Sequence, residues 1–236
     1  FSTRQNIQYN WPKLETVPDI LADLASVEMH AIQTSGNCIR NVTSDHFAGI
    51  TVDELEDPRP YCEIIRQWST FHPEFSYLPR KFKIAVSGAG HDRAAVHVHD
   101  IGIFLVKNAE GETGFKILVG GGLGRLPHIG VVIREFLEKK YLLSYLEAIL
   151  RIYNLFGRRD NMHKARIKIL VKAIGAVKFA EMVEEEWEQI KESVLLLDDK
   201  EIERVKGFFT APDYNEDAVN DTSHEKKLVS DKSFAS

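Results

Sequence analysis

The feature that most constrains the fold is a change of periodicity at the glycine run Gly120-Gly-Gly-Leu-Gly124. Before it, residues 82–87, 96–107 and 114–119 read as strands, the last two joined by a hairpin-like turn at Asn108-Ala-Glu-Gly111. After it comes a helix-rich stretch, with helices expected over 129–137, 140–156, 162–174, 176–193 and 199–208. Strands followed by helices make this an α+β chain.

Upstream, residues 3–11 alternate as a strand, with Thr3, Gln5, Ile7 and Tyr9 on one face and Arg4, Asn6 and Gln8 on the other. Pro18 opens a helix over 18–27, and residues 28–35 return as a strand. Such a strand–helix–strand unit is half of a ferredoxin-like layer. Asp57-Pro-Arg-Pro60 reads as a linker and the start of a helix running to about His72, with Ile64, Ile65 and Trp68 buried. Residues 211–236 are polar and read as a linker or poorly ordered tail. The chain starts at Phe1 without Met and stops at Ser236 without a terminating signal, so it reads as an internal fragment of a longer protein.

Chemistry concentrates in Leu78-Pro-Arg-Lys-Phe-Lys83. On a strand, Lys81 and Lys83 share one face and repel each other, while Arg80 and Phe82 take the other. A chain tolerates that on a solvated surface, or where an anion lies between the ammonium groups. The net charge of −5 argues against general nucleic-acid binding, so an anion site must be a local basic cluster in an acidic molecule. Two cysteines, Cys38 and Cys62, suit a reducing compartment and are too few for a four-cysteine metal or cluster site. No apolar run has the length of a membrane span, and the expected location is cytoplasmic.

Other constellations carry weaker readings. The glycine run misses the dinucleotide spacing, because Arg125 and Pro127 stand where glycines are needed. Successive glycines after a strand either make a tight bend or let a bulky ligand approach the backbone. His97 and His99 have metal-ligand spacing on the expected strand, but no motif supplies a third ligand. From Gly157 to Lys168, five cations (Arg158, Arg159, Lys164, Arg166 and Lys168) meet one acid, Asp160, at a helix start. That run is either solvated or a place for carboxylates or phosphates. Arg4 and Arg40 lie among amides, Gln5, Asn6, Asn37 and Asn41, which suits a polar pocket.

Taken together, Thr3-Arg-Gln5 with Gln8, Gly36-Asn-Cys-Ile-Arg-Asn-Val42, Leu78–Lys83, Val119-Gly-Gly-Gly-Leu123, and Gly157-Arg-Arg-Asp160 with Lys164-Ala-Arg166 resemble the sirohaem-dependent sulfite and nitrite reductases. The stretches occur in that family's order. Glu56-Asp-Pro-Arg-Pro60 and Arg66-Gln-Trp-Ser-Thr70 look like the bacterial sulfite reductase haemoprotein branch, its beta subunit. The resemblance implies the end of a ferredoxin-like half-domain over 1–50, a sirohaem-fold lobe with a mixed sheet and a helix-rich second part over 51–208, and a linker over 209–236 towards a missing C-terminal half.

What the resemblance implies for function is a six-electron reduction of sulfite to sulfide at sirohaem coupled to a [4Fe–4S] cluster. Nitrite reduction, or a non-catalytic tetrapyrrole- or anion-binding fragment, is the alternative. Four basic residues around the substrate anion fall by motif on Arg4, Arg40, Lys81 and Lys83. Arginine forks would hold the oxyanion, and lysines, whose pKa falls when crowded, would bind and supply protons. Gln5, Asn41, Arg80, Gly120, Gly121, Gly122, Arg158, Arg159, Lys164 and Arg166 are the candidates for cradling the sirohaem carboxylates. Neither Cys38 nor Cys62 matches the cluster motif, so the cluster ligands are expected outside this chain. The implied electron donor is a flavoprotein or ferredoxin.

Overall fold

The computed structural model describes residues 1–210 and 222–230. In the first fifty residues the one α-helix is α1 (Val17–Ser26), preceded by a 3-10 turn at Leu14–Thr16 and with Pro18 in its first turn. The expected flanking strands do not form. Gln5 adopts φ 55°, and Glu28 and Gln33 both adopt φ 60°. A left-handed residue ends the alternation a strand needs. Most side chains of this region stay at least partly exposed.

Helix α2 (Arg59–Ser69) starts behind Pro58 and buries Tyr61, Ile64 and Ile65, while Trp68 is half-buried. It stops before His72, because Thr70 is already extended. Strands β1 (Ile84–Ser87), β2 (Ile101–Lys107), β3 (Thr113–Val119) and β4 (Val131–Glu138) form one mixed sheet in the order β1-β2-β3-β4. β1 runs parallel to β2, and the other two pairings are antiparallel. Gly111, at φ 86°, closes the β2–β3 hairpin.

Two expectations change here. Residues 129–137 were expected as a helix; they form β4, and two register shifts against β3 break its two-residue period. Residues 96–100 precede the strand, because Ala95 at φ 54° starts a short 3-10 turn at Val96–Val98.

Helix α3 (Leu142–Phe156) buries ten side chains and runs through the core. α4 (Ile167–Ile174) and α5 (Ala176–Ile190) are separated by Gly175 at φ 91°, a conformation that favours glycine. α6 (Asp199–Lys206) is capped by the Asp198 carboxylate, which accepts from the Glu201 N–H at 2.7 Å. α7 (Ser223–Ser230) is helical within the expected tail; 211–221 and 231–236 lie outside the described residues. One apolar core runs from Ile39 through the sheet to Val205. No helix among the described residues is long and apolar enough to cross a membrane.

Candidate functional site

Phe82 organises the site. Its ring is fully buried and packs on Tyr153 with centroids 5.2 Å apart. Burying such a ring contributes about 1.5–3 kcal/mol. With Phe82 turned inward, Lys81 and Lys83 turn outward together, and both are half-buried. The Phe82 N–H donates to the Cys38 carbonyl at 3.0 Å, and the Arg40 N–H donates to the Phe82 carbonyl at 2.8 Å. Parallel bridges Ile39–Phe82 and Thr43–Ala85 therefore set Arg40 and Asn41 alongside the lysine pair.

Neither lysine ammonium has a hydrogen bond or ion pair among the described residues. Burial pulls the Lys83 pKa below its ordinary value, and Arg4, Arg166 and Lys81 add to the effect. Lys81 is lowered by burial, then by Arg40, Arg166 and Arg80. Arg40 thus acts on Lys81, and Arg4 and Lys81 act on Lys83, so the four cations read from the sequence are electrostatically linked.

The arginines are anchored. The Arg4 guanidinium donates to Thr43 Oγ1 at 2.7 Å, to the Ile84 carbonyl at 3.3 Å, and to the Asn41 carbonyl; Nη1 also meets His99 Nε2. Burial lowers its pKa to about 10. The Asn41 amide donates back to the Arg4 carbonyl. Gln5 exchanges hydrogen bonds with the Ser44 backbone, at 2.7 Å to its carbonyl and 3.2 Å from its N–H. Arg40 donates to the Thr34 and Gly36 carbonyls. Arg4 Nε and Arg40 Nε are buried with no acceptor.

Asp100 is the acid that counters these charges. It is completely buried. Arg166 forks onto it at 2.7–2.9 Å, and the Lys83 N–H donates to Asp100 Oδ2 at 2.8 Å. Burial raises the Asp100 pKa, and Arg166 pulls the other way. The Gly120 N–H donates to the Asp100 carbonyl at 3.0 Å, so the glycine run is tied to the same residue. A Cβ on Gly121 would lie 2.5 Å from the His97 and His99 carbonyl oxygens. A Cβ on Gly122 would lie 3.1 Å from the Lys168 side chain, whose ammonium donates to the Leu123 carbonyl at 3.3 Å and the Leu126 carbonyl at 2.5 Å.

The remaining candidates lie apart. Arg80 donates to the Met162 carbonyl and Arg159 to the Tyr77 carbonyl at 2.9 Å, which braces the 158–164 loop. Arg158 is exposed and paired with Asp160. Lys164 is exposed. His97 turns to Asp92 at 2.6 Å and His99 to Arg4, so the two histidines do not converge. No group of three metal-ligating side chains occurs among the described residues. Cys38 and Cys62 are free, and burial raises both thiols, Cys62 to about 12. Sequence reasoning gave His99, Asp100 and Thr43 no part in this cluster. The available signal was an acid inside the apolar stretch from Val96 to Leu105, where a buried charge needs a partner.

The family model described as the nitrite and sulphite reductase 4Fe-4S domain matches residues 35–191, most of the chain and all of the lysine and glycine motifs. The chain belongs to that family. A sulfite reductase [ferredoxin] 1 of Mycolicibacterium paratuberculosis is 34% identical over 186 residues, covering 79% of this chain and 33% of the relative. A ferredoxin–nitrite reductase of Leptolyngbya laminosa is 32% identical over 190 residues, covering 78% of this chain and 37% of the relative. The chain therefore spans about a third of the length of these relatives. The solved Mycobacterium tuberculosis NirA protein superposes with a TM-score of 0.74 at 32% identity, over 80% of this chain and 34% of that one. A dissimilatory sulfite reductase structure, at 12% identity and TM-score 0.59, shares the fold. This nitrite and sulphite reductase family chain thus has relatives named for either anion at similar identity.

Proposed function

We propose that this chain provides the anion-binding side of a sirohaem-dependent reductase that takes sulfite to sulfide. What carries the reading is the pair of ammonium groups, Lys81 and Lys83, left half-buried without a counter-ion while Asp100 is taken by Arg166. Such a set calls for an anion, and an oxyanion or a macrocycle carboxylate has the matching chemistry. The donor set therefore fits sirohaem as well as substrate. Lys81, Lys83, Arg4 and Arg40 would face the anion, and Gly121 and Gly122 let the glycine run pack closely on the His97–His99 backbone and Lys168. When bound, sirohaem coupled to a [4Fe–4S] cluster supplies the six electrons of the reduction.

The chain's own residues handle charge and protons. Lys81 and Lys83 hold the negative oxygens and, with lowered pKa values, give up protons more readily than free lysine. The protons carry the oxygens away as water. We place residues 1–50 at the end of a ferredoxin-like half-domain, residues 51–208 in a sirohaem lobe, and the cluster's cysteine ligands in a longer protein that contains this chain. Ferredoxin is the favoured donor, because the relatives named above are ferredoxin enzymes. Nitrite is the second reading, supported by the nitrite reductase at 32% identity.

The test is donor oxidation by the full-length protein with sulfite and with nitrite. Arg40→Ala and Lys83→Ala are each expected to lower the sulfite rate at least about tenfold, the lower range for losing a charged transition-state contact. Faster turnover of nitrite makes nitrite the substrate. Sirohaem binding without turnover of either anion leaves a binding module and refutes the catalytic reading.

A further inference from the structure

The turn that carries His99 is more constrained than a surface loop requires. Ala95 sits at φ 54°, a left-handed conformation that costs an alanine energy. Its carbonyl accepts from the Val98 N–H at 3.0 Å and from His99 Nδ1 at 2.7 Å. The Asp92 carboxylate accepts from the Val96 and His97 N–H groups at 2.7 and 3.1 Å. Gly130 N–H closes onto the His97 carbonyl at 2.7 Å, and the backbone of Gly121 leaves no room for a Cβ beside it. The residue as a whole is 9% exposed.

This framework settles the tautomer. Nδ1 must carry the proton, because only a carbonyl faces it. Nε2 is then a bare acceptor, and it is aimed at Arg4 Nη1. Burial, and then the Arg4 charge, lower the ring's pKa to about 4, so it is neutral at neutral pH. An aliphatic side chain would leave that guanidinium N–H without its partner. Thr43 Oγ1 and the Asn41 and Ile84 carbonyls hold the rest of the fork, so His99 is the partner reaching Arg4 from the β2 side.

We propose that His99 is the positioning residue of Arg4: as a neutral acceptor held by the Ala95 turn, it sets the orientation in which the arginine serves the anion site. The inference rests on the functional reading above, and it assigns His99 to orientation, neither to metal binding nor to proton transfer.

Two measurements test it. Histidine-selective 15N NMR of this chain should show the His99 ring with Nδ1 protonated and Nε2 bare at neutral pH, and Arg4→Ala should shift Nε2. An Nε2-protonated or cationic His99 overturns the proposal whatever the enzyme does. In the full-length holoenzyme, His99→Leu should raise the KM for sulfite about tenfold, the effect of losing one hydrogen bond to a charged group, and should lower kcat less. His99→Gln, which restores an acceptor at similar reach, should recover most of that loss. An unchanged KM in His99→Leu, or His99→Gln as impaired as His99→Leu with equal thermal stability, overturns the role. A wild type that turns over neither sulfite nor nitrite refutes the functional reading, and the role of His99 falls with it.

Discussion

Asp100→Asn is the sharpest perturbation of the architecture that carries the basic cluster. The asparagine keeps an oxygen for the Lys83 N–H, now 2.8 Å from Asp100 Oδ2, but removes the charge facing Arg166. The Asp100 side chain is 0% exposed and that of Arg166 is 14% exposed. Stranding one member of a buried pair costs about 3–5 kcal/mol. Arg166 retains some contact with water, and the amide oxygen can still accept one of its N–H groups. The lower end, about 3 kcal/mol, is therefore expected. At about 2–4 °C per kcal/mol for a chain of this size, Tm should fall by about 6–12 °C. Burial raises the Asp100 pKa even with Arg166 beside it, so desolvation of the carboxylate outweighs that attraction. Removing both charges should then recover the loss: Asp100→Asn with Arg166→Met is expected within about 1 kcal/mol of wild type. Urea unfolding of the two variants and the parent chain decides the matter. A single variant within about 1 kcal/mol of wild type, or a double variant as unstable as the single, would show that the fork does not hold the cluster together.

Two further outcomes follow from the same geometry. Lys83 has a folded pKa below its ordinary 10.5, so its protonated form is disfavoured by folding, and stability is lost as pH falls from about 10.5. Lys83→Met should therefore be more stable than wild type near pH 7 in the absence of anions, and denaturation midpoints should converge as pH rises towards 10.5; a gap constant in pH would contradict the repulsion. Gly121→Ala brings a Cβ within 2.5 Å of two backbone carbonyl oxygens and should cost about 1–3 kcal/mol, whereas Gly122→Ala meets the flexible Lys168 chain at 3.1 Å and should cost about 1 kcal/mol or less by the same unfolding assay.

Much of the fold was legible because its elements obey simple periods. The β2–β3 hairpin announces itself through Asn108 and Gly111, and the break between α4 and α5 through Gly175. β4 was misread because its two bulges destroy the alternation that would have marked it. Residues 3–11 were misread for a different reason. Their alternation grouped Arg4 with Asn6 and Gln8 on one strand face, whereas Gln5 at φ 55° breaks the strand and Arg4 turns onto Thr43 and His99. A local pattern cannot anticipate a partner 95 residues away.

The same limit applies to the site, and it explains what a sequence can say about charge. Arg166 and Lys83 look alike in the chain, as cations in basic runs. The pairing that separates them spans 66 residues: Asp100 takes the Arg166 fork, accepts only the backbone N–H of Lys83, and leaves the Lys83 ammonium unpaired. A basic motif therefore marks where positive charge is available, while the position of one buried acid decides which charge remains free to meet an anion. Lys81 and Lys83 keep ammonium groups without an ion pair among the described residues, whereas Arg166 is held by Asp100 and Arg80 by the Met162 carbonyl.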